Sequence, residues 1–126
     1  MRLPARMAIL FGRRLREFGY RAAGLELDRA LGQKATFYSG VPVYASQEEI
    51  IERGERFDVV SMFDVFEHLY EPVAYLKSLR SIMAPGSVLL IETFRTDSPA
   101  FQREQLRHED VKPIEHPFMY MQKHID

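Results

Sequence analysis

Two neighbouring residues near the middle of the chain, Glu67 and His68, are of types that can move protons. A histidine titrates near neutral pH and can take a proton from a substrate oxygen or nitrogen as a general base. With Asp64, the pair also forms an acid-x-x-acid-His run of metal-ligating residue types. In a third interpretation, His68 packs at the mouth of a site and Glu67 orients loops. The residues alone leave all three interpretations open.

Acidic residues follow two of the predicted strands. Glu26 lies at the end of a predicted strand over Tyr20–Asp28, and Asp64 directly follows the strand predicted over Phe57–Phe63. In doubly wound α/β sheets, ligands bind outside the carboxyl ends of the strands. A carboxylate at such a position can accept hydrogen bonds from two ribose hydroxyls. The alternatives are a solvated strand-end acid for Glu26 and a helix cap for Asp64.

Apolar periodicity and cap signals predict the elements that position these residues. The predicted helices are Pro4–Phe18, one from an Asp28 cap through Thr36, one from a Ser46 cap to Gly54 with a capping box at Glu49, Pro72–Met83, and Ser98–Leu106. The predicted strands are Tyr20–Asp28, Val41–Ala45, Phe57–Phe63 and Ser87–Phe94. The near-continuous apolar run of Phe57–Phe63 is typical of a strand covered on both faces. Pro85-Gly86 predicts a sharp turn.

Helices and strands alternate along the whole chain, which predicts an α/β protein with a mostly parallel sheet. At 126 residues, we expect a single domain over 1–126. The formal net charge of −1 argues against a surface that mainly neutralises phosphates, and we expect no nucleic-acid partner. The absence of cysteine excludes disulfides, thiolate nucleophiles and cysteine-based metal sites. No apolar run approaches the roughly 18 residues of a membrane helix, and we expect a cytoplasmic protein without a membrane partner.

The central stretch resembles the class I S-adenosylmethionine-dependent methyltransferases. Five features occur in order: Phe57-Asp58-Val59-Val60, Asp64-Val65-Phe66-Glu67-His68-Leu69, Pro72, the helix through Met83, and Pro85-Gly86 followed by Val88–Glu92. Upstream, Gly24-Leu25-Glu26-Leu27-Asp28 is similar to the second cofactor motif of the same family. The resemblance covers roughly residues 11–120.

The resemblance implies a partial Rossmann-like fold and S-adenosylmethionine as the methyl donor. Glu26 would bind the ribose, and residues after the strands would lie around the adenine: Leu27, Ala45, Ser46, Asp64 and Val65. His68 would be the catalytic base, and the acceptor would be a small molecule that the sequence does not identify. Asp64-x-x-Glu67-His68 also looks like the E-x-x-E-H metal pattern of small-RNA 2′-O-methyltransferases, with Asp in place of the first Glu. No completing ligand is evident, and we expect no metal. For His108, Asp110 and His116 the irregular spacing favours a surface position.

Two parts of the family pattern are missing from the sequence. A glycine-rich loop precedes the first helix of the family, whereas Met1–Leu10 contains no glycine. The last strands of the family sheet are also missing. In a sheet of order 3-2-1-4-5 the absent first strand is the central one. The strands Arg21–Leu27 and Phe57–Phe63 must then pair directly or leave open ladders, and we expect self-association through unpaired strands.

These features predict a truncated methyltransferase domain that binds its cofactor weakly and turns over little. One alternative is a non-catalytic α/β binding or interaction domain derived from a methyltransferase, since the glycine-rich loop is missing. Another is a nicotinamide-dinucleotide oxidoreductase, which also has an acid at the end of its second strand. That class does not account for Glu67-His68 or for Pro85-Gly86.

Overall fold

The computed structural model describes residues 12–104, 119–121 and 123. Within them the helices are α1 (residues 12–17), α2 (Arg29–Ser39), α3 (Gln47–Glu52), α4 (Pro72–Leu79) and α5 (Pro99–Glu104). The strands are β1 (Gly24–Leu25), β2 (Val43–Tyr44), β3 (Phe57–Phe63) and β4 (Met83–Glu92). Short 3₁₀ turns cover Phe66–His68 and Arg80–Ile82. The predicted alternation of helices and strands is confirmed.

The strands form two separate parallel pairs, β1 with β2 and β3 with β4. This arrangement confirms the predicted class, a partial Rossmann-like α/β fold with parallel strands and flanking helices. Among the four strands of the described residues, β1 and β3 do not pair with each other. Of the two expected outcomes, direct pairing is therefore not found between the described strands.

Strands β1 and β2 are shorter than predicted, since each contains only two residues instead of the spans Tyr20–Asp28 and Val41–Ala45. Among the described strands, β1 and β2 pair only with each other, and their register covers two residue pairs, Gly24↔Val43 and Leu25↔Tyr44. The ladder is extended by two flanking bonds of 2.9 Å, from Gly24 N to the carbonyl of Pro42 and from Glu26 N to the carbonyl of Tyr44. Pro42 lacks a donor, and its carbonyl is the group used here.

Side-chain caps fix the starts of α2 and α3 as predicted. Asp28 Oδ1 accepts from Ala30 N at 3.0 Å and from Leu31 N at 3.1 Å. Helix α2 continues three residues beyond the predicted end at Thr36, and Gly40 in the left-handed conformation (φ 69°) follows it. At α3, Ser46 Oγ accepts from Glu49 N at 3.2 Å, which confirms the predicted cap.

Within the residues that the structure describes, the β3–β4 pair is covered on one face only, in contrast to the two covered faces predicted. Inward-facing residues Val60, Met62, Leu89 and Ile91 belong to or pack against the core, together with the buried residues Tyr44, Ile50, Phe66, Leu79, Ile82 and Tyr120. On the opposite face, Val59 is 61% exposed and its register partner Val88 is 59% exposed. Leu90 on the same face is 49% exposed. The apolar run therefore reflects one core face and one open apolar face.

Two predictions around α4 are corrected. The helix ends at Leu79 and tightens into the 3₁₀ turn, so Met83 opens β4 and does not belong to the helix. Pro85-Gly86 lies inside β4 and makes no turn between elements. The register jumps there from Phe57↔Met83 to Val59↔Val88, and Gly86 has a φ of 78°. The extra residues are accommodated as a bulge, for which a glycine at positive φ is well suited.

The ends of the chain are described in part. Residues 12–17 are helical, and Gly19 follows at a φ of 84°, as the predicted Pro4–Phe18 helix requires. Residues 1–11 lie outside the described residues, as do 105 and 106 of the predicted Ser98–Leu106 helix. Ser98 Oγ accepts from Phe101 N at 3.2 Å at the start of α5. Within the described ranges, no helix has the length and hydropathy needed to cross a bilayer.

Candidate functional site

The predicted site residues lie at the carboxyl ends of the parallel strands. Glu26 and Leu27 follow β1, and Ala45 and Ser46 follow β2. Asp64 and Val65 follow β3, next to the end of β4. The carboxyl ends of paired parallel strands lie side by side. Glu26, Leu27, Ala45 and Ser46 therefore lie at the end of the β1–β2 pair, and Asp64 and Val65 lie at the end of the β3–β4 pair.

Glu26 is held in place by its own turn. Its N–H donates to the carbonyl of Tyr44, and its Oε1 accepts from Asp28 N at 2.9 Å. The side chain is half-buried, and within residues 12–104 Asp28 N is the donor found for the carboxylate, which leaves Oε2 as an acceptor. The adjacent Leu27 is 80% exposed. An anchored acceptor beside an exposed apolar side chain suits a ligand that has both hydroxyls and an aromatic ring.

Ala45 and Ser46 are fixed by the start of α3. The Glu49 carboxylate accepts from Ala45 N at 3.0 Å and from the guanidinium of Arg29 at 2.9 Å. The hydrogen bond from the backbone of Ala45 is the main reason that the pKa of Glu49 is lowered, and Arg29 lowers it further. Glu49 thereby connects the starts of α2 and α3 around the edge where β1 and β2 end.

Asp64 has a backbone conformation that is unusual for a residue other than glycine, with a φ of 52°. Its N–H donates to the carbonyl of Glu92 at 3.2 Å, which extends the β3–β4 ladder by one residue. A left-handed conformation of this kind costs about 1–3 kcal/mol and persists only where the surroundings impose it. The 3₁₀ turn that follows begins at Phe66, with Val65 at its N-cap and no side-chain cap, so the capping role considered for Asp64 is not found among the described residues.

Glu67 and His68 lie in very different surroundings. Glu67 is only 2% exposed, and its Oε2 accepts from Thr93 Oγ1 at 2.8 Å. His68 is half-buried, and its backbone N–H donates to the carbonyl of Val65 at 3.0 Å. A buried carboxylate held by a neighbouring hydroxyl is poorly placed to meet a substrate. His68 is the less buried of the two residues, although its ring Nε2 is shielded from solvent, and it is the better candidate base.

Sequence reasoning missed two residues of this region, Thr93 and Tyr120. Tyr120 is 9% exposed, and its ring packs on Phe66 with centroids 4.8 Å apart. Burial raises the pKa of Tyr120, and the charge of Glu67 raises it further. Thr93 directly follows β4, so the strand-end rule that selected Asp64 could also have selected it. Tyr120 lies in a stretch without periodicity, which offered no signal.

Metal ligation finds no support in the described part of the chain. No group of three or more histidine, cysteine, aspartate or glutamate side chains there is arranged to hold an ion. His108, Asp110 and His116 lie outside the described residues, so the prediction that they are surface residues stays a prediction.

A surface groove of about 430 Å³ lies away from these residues, between α1 and the end of α2. Its lining includes Arg13, Arg16, Phe37 and Tyr38, and none of the predicted site residues. The Arg16 guanidinium donates to the carbonyl of Gly40 at 3.1 Å there, which ties α1 to the end of α2.

Comparison with known proteins decides the family. Residues 6–125 match the family model described as a methyltransferase domain. The chain belongs to this methyltransferase family. The predicted membership of the class I S-adenosylmethionine-dependent methyltransferases is thereby confirmed.

Several curated relatives of this methyltransferase domain are named ubiquinone biosynthesis O-methyltransferase. The protein from Cereibacter sphaeroides (strain ATCC 17025 / ATH 2.4.3) is 37% identical over 54 residues, which cover 43% of the chain and 22% of that relative. The one from Dinoroseobacter shibae is 31% identical over 58 residues, covering 46% and 23%. The one from Methylobacterium nodulans is 35% identical over 66 residues, covering 50% and 26%. The aligned segments thus span about a quarter of the relatives' length. No solved structure matches the chain.

Proposed function

We propose that the chain is a single methyltransferase domain that binds S-adenosylmethionine at the carboxyl ends of its strands and serves methyl transfer to a hydroxyl group of a small molecule. The family match over residues 6–125 supports methyl transfer. The names of the curated relatives, all O-methyltransferases, support a hydroxyl acceptor. The observation that carries the proposal is the position of Glu26, an anchored carboxylate directly after a parallel strand.

The residues present suit the adenosine part of the cofactor. Glu26 Oε2 would accept hydrogen bonds from the ribose hydroxyls, because an ionised carboxylate is an acceptor only. Leu27 and Val65, which are 80% and 37% exposed, would cover the faces of the adenine. Ala45, Ser46 and Asp64 would complete the surroundings of the base. The gain for Leu27 and Val65 is the burial of apolar surface that otherwise faces water.

The methionine part of the cofactor is less well served. The bound cofactor supplies a methyl group on a sulfonium, an electrophile that a hydroxyl oxygen can attack. Glycines let a backbone approach a ligand closely, and Met1–Leu10 contains none. We therefore expect weak binding and little or no turnover by this chain.

His68 is the residue that we propose as general base. It would take the proton of the acceptor hydroxyl, since it is less buried than Glu67 on the turn that follows Asp64. General-base catalysis of this kind contributes typically 10²–10⁴-fold. Glu67 is buried against Thr93 and would act on the position of this turn, which agrees with the interpretation that it orients loops.

Two further expectations accompany the proposal. The exposed apolar side chains of Val59, Val88 and Leu90 support self-association. The cytoplasmic location stays a prediction. A non-catalytic binding domain is not favoured, because the named relatives are methyltransferases.

Calorimetric titration with S-adenosylhomocysteine, and separately with NAD⁺, tests the proposal. We expect weak binding of the first and none of the second. Glu26→Ala should weaken the remaining binding by about 10–150-fold, the range for hydrogen bonds to a charged group. Glu52→Ala removes an exposed acid of α3 and serves as the matched control. Binding of NAD⁺ alone, or equal affinity of Glu26→Ala and wild type, would contradict the proposed site.

A further inference from the structure

The turn formed by residues 64–68 is held by a hydrogen bond between two side chains that lie far apart in the sequence. Glu67 lies on this turn after β3, and Thr93 lies after β4. The 2.8 Å hydrogen bond from Thr93 Oγ1 to Glu67 Oε2 therefore joins the ends of the two parallel strands. It adds to the backbone bond from Asp64 N to Glu92 O at the same end of the sheet.

A distant segment holds the other side of the turn. The carbonyl of Tyr120 accepts from Thr96 N at 2.9 Å and from Thr96 Oγ1 at 3.1 Å, which fixes it beside β4. The ring of Tyr120 packs on Phe66 at an interplanar angle of 32°. Since Phe66 and Glu67 are adjacent, the aromatic contact and the carboxylate bond restrain the same 3₁₀ turn from two directions.

Burial makes these restraints consequential. A carboxylate that is 2% exposed is costly unless it is hydrogen-bonded, so the Thr93 hydroxyl matters more than a surface hydroxyl would. The left-handed Asp64 lies three residues before Glu67 and needs surroundings that over-determine its conformation. The Thr93–Glu67 hydrogen bond and the Tyr120–Phe66 ring contact can supply this restraint on the left-handed Asp64.

We propose that Glu67, Thr93 and Tyr120, here called the clasp, are positioning residues that hold the 64–68 turn in a preformed conformation. In this role they need no contact with the cofactor. They act through Asp64 and Val65, whose contact with the cofactor rests on the proposed function. Cofactor affinity then depends on the Thr93 hydroxyl, although that hydroxyl binds to Glu67 and acts only through the conformation of the turn.

The test compares Thr93→Val, which keeps the shape and removes the hydroxyl, with Thr93→Ser, which keeps the hydroxyl. Hydrogen exchange of the amides of residues 64–68 reports on the turn without any ligand. We expect exchange in Thr93→Val to rise by about tenfold, as loss of one hydrogen bond to a charged group predicts, and Thr93→Ser to restore protection. Ser78→Ala removes a hydroxyl that bonds to Tyr75 on exposed α4, and should leave the turn unchanged.

Calorimetry with S-adenosylhomocysteine separates the two proposals. If wild type binds, Thr93→Val should bind about tenfold more weakly and Thr93→Ser nearly normally. If wild type does not bind but exchange responds as expected, the proposed function fails and the clasp stands. Unchanged exchange in Thr93→Val, or equal loss in the valine and serine variants, would overturn the clasp. Tyr120→Phe keeps the ring contact and should retain most of the protection, whereas loss equal to that in Tyr120→Ala would contradict the role given to the ring.

Discussion

The backbone N–H of Ala45 donates to the carboxylate of Glu49 at 3.0 Å, across the junction of β2 and α3. The same carboxylate binds Arg29 at the start of α2, at 2.9 Å. One acidic side chain thus holds together the edge from which Glu26 and Ala45 would meet a ligand. Because the charged form makes these contacts, protonation of Glu49 should loosen that edge.

Glu49 should make stability depend on acid pH. Its folded-state pKa lies below the ordinary value of 4.5, because of the Ala45 hydrogen bond and then Arg29. A lowered pKa contributes stability that is present above pH 4.5 and is lost as the pH falls through the folded-state value. We expect Glu49→Gln to be less stable than wild type at pH 7, with a smaller difference near pH 3, in urea unfolding. Glu52→Gln, an exposed neighbour on α3, should show no such change, and an equal difference at both pH values would contradict the prediction.

Tyr44→Phe should cost about 1 kcal/mol of unfolding free energy, the typical net contribution of one hydrogen bond. The Tyr44 hydroxyl donates to Glu55 at 2.7 Å, and the ring, which Arg53 overlies at 5.2 Å, is kept in the variant. The bond to Glu55 raises the pKa of Tyr44, so its contribution is present below pH 10.0 and is lost as the pH rises further. Urea unfolding measures the loss. Tyr38→Phe, at a side chain that is 63% exposed, is the control and should be neutral.

Leu79→Ala should destabilise the protein by about 2–5 kcal/mol, because it opens a cavity in the core. Leu79 is 2% exposed and belongs to the cluster that includes Met62 and Ile82. Leu27→Ala is the same substitution at a side chain that is 80% exposed, and should leave stability within about 0.5 kcal/mol of wild type. Thermal and urea unfolding of the two variants provide the comparison. Similar losses in both would contradict the placement of Leu79 in the core and of Leu27 outside it.

Val59→Lys should reduce self-association. Val59 and its partner Val88 are 61% and 59% exposed on a sheet face without covering residues in the described ranges. Exposed apolar strands recruit other chains, and a lysine opposes this. Light scattering over a range of concentrations should show a smaller mean mass than for wild type. Val73→Lys, at an α4 side chain that is 64% exposed, is the matched control, and an equal reduction there would show that general charge is the cause.

A strand ending in a glycine-rich loop, added before Phe11, should restore monomeric behaviour and cofactor binding. It would lie between β1 and β3, which do not pair with each other in the described part of the chain, and its glycines would let the backbone approach the methionine part of the cofactor. Light scattering and transfer of labelled methyl to a panel of hydroxyl acceptors compare the two chains. A monomeric unextended chain with equal turnover would contradict the argument and would mean that Met1–Leu10 build a cradle of another kind.

Local signals in the sequence predicted the starts of α2 and α3 and the bounds of β3 correctly. The caps at Asp28 and Ser46 could be predicted because each hydrogen bond joins residues two or three positions apart in the sequence. Phe57–Phe63 was predicted with its observed bounds, since its apolar run is nearly continuous. The predicted cofactor-binding residues all lie at strand ends, and their roles stay predictions.

Features that depend on distant partners could not be predicted. The length of β1 depends on its register with β2, and the position of Pro85-Gly86 inside a strand depends on pairing with β3. The exposure of Val59 depends on which layers cover β3. Tyr120 is placed by Thr96 and Phe66, both more than twenty residues away, and no periodicity announces such a contact.

The unequal lengths of the two parallel pairs have a thermodynamic consequence. β1 and β2 contain two residues each, whereas β3 and β4 contain seven and ten. Local opening is easiest where few hydrogen bonds must break, so the half that carries Glu26 should open more often than the half that carries Asp64. A ligand that contacts both halves must first order the weaker one, and part of its binding free energy goes into that ordering. Affinity in this fold is therefore coupled to the stability of a two-residue ladder.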